Sequence, residues 1–411
     1  MSAAVGAPAY RGSLRERLRA AAGLKGHGPQ PTQMVDAHHD FLVGGKWEET
    51  AYGPALYMEK VYDDLDIHGD YALSELLDVD RSALAELGCA ADPSELLFVD
   101  LETTGLNGGT GTLAFLVGAG RFDGRRFVLR QYFLAKPHFE PALLAGFAAF
   151  SEGTTAVVSY NGSSFDLPLL QSRYTMSRLD YWLAELGHVD LLHHARRFYS
   201  RSLDSCRLKE LEASVLGVVR GHDIPGWAVP EVYFRFIREG VVGMMPAVVR
   251  HNALDVLSLA TLLRRLAGLV SGEPLSLASE AVEVARLAHA AGDVERSLSL
   301  HRRALMMTAT PGMRDFALAR HLKVLKRSGR WQEVRDLCLD EVRCGLATPA
   351  VYIEGSKACE HHTGDFKLAL RLTERALILA RGRRYHEELA ESLEKRRARL
   401  LRKLARRAGK S

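Results

Sequence analysis

Two carboxylates, Asp100 and Glu102, stand two residues apart at the end of the short apolar run 96–101. Residues two apart on a strand project from the same face, so this pair converges. Charge buried beside such a run is costly unless a cation or a Lys or Arg side chain lies close, which makes the pair a candidate ion site. Thr103, Thr104 and Gly105 follow, leading into Asn107, Gly108 and Gly109. Glycine-rich chain lets the backbone approach a ligand closely, and Thr103 and Gly105 are candidate substrate contacts.

A second constellation runs from Tyr160 through Asn161, Gly162, Phe165 and Asp166 to Pro168, passing from a strand end through a turn into a helix. An isolated Asp at such a helix start is ordinarily a cap. Here Asn161 and Phe165 accompany it, and the stretch resembles the second exonuclease motif of family B DNA polymerases. The third constellation is His251, Asn252 and Asp255. At helical spacing His251, Asp255 and Ser258 share one face, while Ala253, Leu254, Val256, Leu257 and Leu259 cover the other directions. A carboxylate on so apolar a helix needs a partner, so this polar stripe is expected to line a cleft containing cations. The plainer alternative for His251 is a histidine satisfied within the core.

Taken in order, Asp100-x-Glu102, the segment from Asn161 to Asp166, and His251 to Asp255 resemble the three motifs of the DEDD exonucleases. More closely, the stretch from Asp100 to Thr112, the Asn-Gly-x-x-Phe-Asp segment, residues 204–208 and His-Asn-x-x-Asp resemble the YprB-type ribonuclease H-like proteins. The resemblance covers roughly residues 95–268. It implies that Asp100, Glu102, Asp166 and Asp255 bind two Mg²⁺ or Mn²⁺ ions and that nucleotides are removed hydrolytically from the 3′ end of single-stranded DNA or RNA. Related enzymes carry Tyr four residues before the last Asp or His five before it. Here His251 holds the first of these positions and Arg250 the second.

Four carboxylates around one cleft do not all stay ionised unaided, and two divalent cations supply the missing charge. One ion can then generate hydroxide while the other stabilises the leaving oxygen, with His251 orienting the attacking water. Arg207 and Lys209 are candidate contacts to substrate phosphates, or else ordinary surface charges. Asp190 is either a helix cap or an extra ligand.

These residues require a particular scaffold. The run 96–101 reads as a buried central strand, with 113–122 and 127–134 as a hairpin beside it around Asp123 and Gly124. A helix over 140–150, a strand over 156–160, a helix over 167–177 and a strand over 188–192 then alternate, and helices at 205–216 and 246–269 follow. This order predicts an α/β fold, a ribonuclease H-like mixed sheet with helices on both faces, spanning 95–270. Residues 1–32 read as a mobile N-terminal arm with a basic helical stretch. Residues 33–94 form an acidic extension in which only two short helices, near 73–77 and 81–87, are legible.

Beyond Gly272 the chain becomes helical. Gly292, Gly329 and Gly364 open similar segments, with Val294, Trp331 and Phe366 two positions on and Leu300, Leu337 and Leu372 eight on. Spacings of 37 and 35 residues between these glycines resemble the tetratricopeptide pattern, so 276–380 is expected to be an all-α helical-repeat domain able to bind a protein partner. A generic helical bundle is the alternative. The tail 381–411 carries twelve Lys or Arg against four Glu, an excess of eight positive charges that suits phosphate-backbone tracking as well as a solvated helix.

The 411 residues carry a net charge of +4, and no apolar stretch is long enough for a membrane helix. Five scattered cysteines without a C-x-x-C pair speak against a disulfide framework or zinc site, and a cytoplasmic protein is expected. The competing function classes are a catalytically inactive nuclease-fold scaffold acting through its helical repeats and a structure-specific endonuclease.

Overall fold

A computed structural model describes residues 45–105, 111–221, 223–308, 310–381 and 387–408. The N-terminal arm, its helical stretch, and most of the glycine-rich segment after Gly105 lie outside the described residues. The chain divides into two compact units, one ending at Pro274 and the other beginning at Leu275.

The first unit is built on a seven-stranded mixed sheet. In chain order its strands are β1 (Lys46–Thr50), β2 (Gly53–Tyr62), β5 (Leu96–Thr103), β6 (Ala114–Asp123), β7 (Arg126–Phe133), β8 (Ala156–Ser159) and β9 (Gly187–Asp190), while β3 (Ile67–His68) and β4 (Tyr71–Ala72) pair separately. Their spatial order is β1-β2-β7-β6-β5-β8-β9. The pairings from β1 to β5 are antiparallel, and those of β5 with β8 and β8 with β9 are parallel. The central position of β5 explains its apolar run: Leu96, Leu97, Phe98 and Val99 are wholly buried.

The helices of this unit are α1 (Arg81–Glu86), α2 (Glu140–Phe150), α3 (Asp166–Met176), α4 (Leu191–Tyr199), α5 (Leu208–Leu211), α6 (Val229–Glu239) and the 27-residue α7 (Met245–Ser271). Helices α2 and α7 cover opposite faces of the sheet. Gln131 on β7 reaches the backbone of Val249 on α7, whereas its neighbour Tyr132, pointing the other way, lies against Gly146 of α2. Close approach of α7 depends on glycine: a Cβ on Gly118 would overlap Asn252, and one on Gly120 would overlap Phe127 and Val256.

Strands β1 and β2 extend the sheet in a stretch to which sequence patterning assigned no element. Residues Ala55 to Met58 are all buried because both faces are covered there, so the alternation that marks a half-exposed strand never develops. The two short helical turns near Leu73 and Arg81 are present.

The second unit contains α8 (Ala278–Ala290), α9 (Val294–Met307), α10 (Pro311–Arg327), α11 (Trp331–Arg343), α12 (Pro349–Ala358), α13 (Phe366–Arg381) and α14 (Glu387–Ala408). Gly292, Gly329 and Gly364 occupy the turns before α9, α11 and α13 with φ of +89°, +70° and +70°, a backbone region that favours glycine. The basic tail is no free arm over its described length. It forms α14, whose Arg396, Arg399 and Lys403 converge on the buried carboxylate of Glu360 at 2.7, 2.7 and 2.9 Å. All five cysteines are free thiols, and among the described residues no helix is long and apolar enough to cross a membrane.

Candidate active site

Strand β5 carries Asp100 and Glu102 on its α7 side, in the same alternation as Phe98. The register with β6 shifts between Glu102 and Thr103, ending regular pairing where the carboxylates emerge. Thr103 Oγ1 donates to the carbonyl of Gly105 at 2.9 Å, turning the chain away. From α7, the fully buried Asn252 donates through Nδ2 to both the carboxylate (2.8 Å) and the carbonyl (3.0 Å) of Asp100. Gln131 Nε2 in turn donates to Asn252 Oδ1 at 2.8 Å, which fixes the orientation of that amide. The sequence motif contained Asn252, yet its task of anchoring Asp100 is visible only in the fold.

Asp166 begins α3. The cap position before it is Phe165, which offers no side-chain hydrogen bond to the helix end. The preceding turn is held by Asp190, whose carboxylate accepts from the backbone of Asn161 (2.7 Å), Ser163 (3.1 Å) and Leu192 (3.1 Å) and from the Ser163 hydroxyl. Asp190 is therefore a cap and a clamp for the turn. Asn161 adopts the left-handed conformation with φ +65°, and Phe165 is half exposed.

Burial together with mutual repulsion raises the pKa of all four acids. Asp100 and Glu102 are held well above the usual carboxylate range by desolvation and by the charges of Asp255 and Asp166. Asp166 is pushed up to about 7 by desolvation, with Asp190 and Asp255 adding to it. Asp255 is raised by desolvation despite opposition from Arg220 and His251. Strand β8, which pairs with β5, leads into the start of α3, and α7 reaches β5 through Asn252 and His251, so the three segments meet at one cleft.

His251 lies among them. Its Nδ1 is 2.8 Å from Asp223 Oδ1, and its Nε2 is 3.9 Å from Glu102 Oε1 and 3.6 Å from Asp255 Oδ2. Arg220 Nη1 also lies 3.1 Å from Nδ1, but the shorter contact is to a carboxylate, which can only accept, and it favours a proton on Nδ1 with Nε2 facing the acids.

Beneath this pair is a buried network that sequence reasoning did not reach. Arg220, with 3% of its side chain exposed, donates to both oxygens of the fully buried Glu212 and to Asp255 Oδ1. Its Nη1 is 3.4 Å from Asp223. Glu212 stands in a π-helical turn (Glu212–Leu216) that continues α5, and it also accepts from Ser258. Ser258 itself is 2.7 Å from His68 Nε2 and wholly buried, so it supports Glu212 and does not line the cleft as its helical spacing predicted. Glu212 falls on the apolar face shared with Leu208 and Leu211, and a lone acid there is a readable signal of a buried partner. Arg220 and Asp223 lie in an aperiodic segment and give no such signal.

The donor set around the cleft is hard oxygen plus one imidazole, the chemistry that suits Mg²⁺ or Mn²⁺. The raised pKa values show what a cation would relieve. Among the described residues no three His, Cys, Asp or Glu side chains form a ready-made cation cage, and Arg220 supplies the positive charge beside Asp255. Arg207 is exposed near the cleft, and Lys209 is paired with Asp223 at 3.6 Å.

The RNase H superfamily model matches residues 97–267, the stretch from β5 to α7. The chain is also 33% identical over 348 residues to the uncharacterized protein YprB of Bacillus subtilis (strain 168), covering 82% of this chain and 83% of that one. This protein belongs to the YprB family and carries a ribonuclease H superfamily domain over residues 97–267. In this ribonuclease H-like chain the matched region contains every acid of the cleft, and membership points to nucleic-acid hydrolysis as the reaction class. Superfamily nucleases typically work with divalent metals, in keeping with the oxygen-rich cleft.

Proposed function

We propose that this protein is a metal-dependent 3′ to 5′ exonuclease that hydrolyses phosphodiester bonds of single-stranded DNA or RNA. The observation that carries the reading is the convergence of Asp100, Glu102, Asp166 and Asp255, from three distant segments, on one cleft where each is strained toward protonation. These four residues would hold two Mg²⁺ or Mn²⁺ ions, which supply a water of lowered pKa and positive charge for the leaving oxygen.

The chain's own groups perform the remaining tasks. Asn252 keeps the Asp100 carboxylate aimed into the cleft. His251, its Nδ1 proton committed to Asp223, presents Nε2 as an acceptor that can orient the attacking water and take up its proton. Asp190 holds the turn before Asp166, so that Asn161 and Phe165 border the place where a strand end would lie. Lys209, through Asp223, neutralises part of the acidic surroundings, and Thr103 and Gly105 close the cleft's edge. The repeated helical pairs of the second unit, read as tetratricopeptide-like, would offer a surface to a protein partner.

A second reading is a nuclease fold that serves as an inactive scaffold, and the ion pair between Arg220 and Asp255 favours it over the endonuclease alternative. One experiment separates all three. Single strands labelled at the 5′ or the 3′ end are incubated with the purified chain in Mg²⁺, Mn²⁺ or chelator. Products shortening from the 3′ end support the exonuclease, internal cuts an endonuclease, and intact strands under every condition the scaffold.

A further inference from the structure

Next to the cleft lies a second cavity of about 480 Å³, bordered by Tyr160, Asn161, Arg196, Ser205, Cys206 and Arg207. Its walls come from three segments: the turn after β8, the exposed side of α4, and the chain entering α5. The Tyr160 hydroxyl donates to the Cys206 carbonyl, which ties the first of these to the third. Asp190 holds the Asn161 backbone from below. The cavity is thus a formed feature and not a gap between loose loops.

Its charge is one-sided. Arg196 and Arg207 are exposed and make no ion pair among the described residues, whereas most arginines of this unit are paired. The Arg196 guanidinium lies close enough to the Tyr160 hydroxyl and the Cys206 thiol to favour the ionised form of each, which places its charge at the cavity. The same turn also borders the acids: a Cβ on Gly162 would come within 3.4 Å of Asp166 Oδ2. A strand whose end reached Asp166 would cross this turn, with its next linkages over the two guanidinium groups.

We propose that this cavity is a phosphate subsite that holds an upstream phosphodiester of the single strand, with Arg196 and Arg207 as the cationic contacts and Asn161 and Ser205 as neutral ones. The proposal rests on the nuclease reading for the direction of the strand, though not for the anion itself. Guanidinium groups match a phosphate in geometry as well as charge. Two unpaired arginines beside the cleft attract a polyanion where the strand must pass. Tyr160 and Leu192 also line the cavity and give it an apolar wall against which a sugar could rest.

The test uses full-length Asp166→Asn protein, so that strands are not consumed, and labelled oligodeoxynucleotides and oligoribonucleotides in which one linkage at a time is a neutral methylphosphonate. One or two linkages near the 3′ end should weaken binding about tenfold when neutralised. The same linkages should become silent in Arg196→Gln/Arg207→Gln, which should also flatten the salt dependence by about 0.7 per lost contact. Exposed Arg375→Gln serves as the charge control and should leave the profile unchanged. A linkage profile identical in the double variant and its parent overturns the subsite, even if Asp100→Asn abolishes hydrolysis and so supports the nuclease. A profile erased by the double variant in a protein that never hydrolyses any strand establishes the phosphate site while refuting the exonuclease.

Discussion

The Nδ1 nitrogen of His251 lies 2.8 Å from Oδ1 of Asp223, a residue 28 positions earlier in an irregular segment of the chain. Asp223 keeps its charge readily. Burial alone would raise its pKa, but the His251 hydrogen bond and the charges of Arg220 and Lys209 bring it below the ordinary value. An ionised acceptor on one side of the imidazole fixes the acceptor nitrogen on the other, facing Glu102 and Asp255.

If that orientation serves the attacking water, His251→Ala should lower turnover by about 10² to 10⁴-fold with little change in metal affinity. His251→Tyr should recover part of the loss, since this is the position at which related enzymes carry Tyr. Asp223→Asn should cost a substantial part of the same factor, because an amide can accept from a protonated Nδ1 or donate to a bare one and so no longer selects a tautomer. Single-turnover rates at saturating strand, with melting temperature as a fold check, measure all three. Full activity in His251→Ala would make the residue a satisfied core histidine.

Arg220 is the charge on which the buried network depends. Replacing it by Met leaves Glu212 without its countercharge and Asp255 without its nearest cation, and breaking a buried pair this way costs about 3–5 kcal/mol. Urea unfolding of Arg220→Met should show a loss of that size. Added Mn²⁺ should restore more stability to the variant than to the wild type, because a cation then replaces the missing charge. A variant as stable as wild type without metal would show that the Arg220 charge does not hold this network together.

The extent to which sequence disclosed this site follows from how each part is held. Asp100, Glu102, Asp166, His251 and Asp255 were legible as candidates because each lies within or at the start of a periodic element whose phase fixes its direction. The apolar run of β5 and the long α7 gave that phase, and with it the mixed sheet. Strands β1 and β2 were not legible, since covering both faces of the sheet erased their alternation. Arg220 and Asp223 act through the fold's long-range closure, which brings the loop after α5 against α7, and no local pattern encodes it. Ser258 shows the reverse error: its helical phase was right, but the neighbouring Glu212 and His68 close that side of the helix.

Acid should act on the helical unit chiefly through two groups, those titrating in the acid range whose pKa values are displaced furthest. Burial, with repulsion from His301, pulls the pKa of His321 down from 6.5 to about 3, so the unfolded chain binds this proton first and stability falls as pH drops from about 6.5 toward 3. Glu360 is brought down to about 2. Its burial opposes the shift, but Arg399 and Lys403 outweigh it, so its contribution is complete above about 4.5 and is lost as pH falls toward 2. Urea midpoints between pH 7 and 3 should therefore fall in two steps. His321→Leu should flatten the upper step and Glu360→Gln the lower, and unchanged profiles would contradict these placements.

Removing the chain beyond Arg381 tests the basic helix. Because Arg396, Arg399 and Lys403 are held by Glu360, truncation should destabilise the second unit and leave Glu360 uncompensated. A change confined to the salt dependence of strand binding, with thermal stability intact, would instead assign those cations to phosphates.

The most direct measurement of the central claim is hydrolysis of 5′-labelled single strands by wild type, Asp100→Ala and Asp166→Ala with Mg²⁺, Mn²⁺ or chelator, each sample paired with a melting curve. Wild type should shorten strands stepwise from the 3′ end only when a divalent ion is present, and Mn²⁺ should raise its melting temperature. Both variants should stay folded, lose all but a few per cent of the rate and show little of the Mn²⁺ shift. Either variant retaining near-wild-type hydrolysis, or wild type degrading strands equally well in chelator, would contradict an acid-held, metal-dependent exonuclease site.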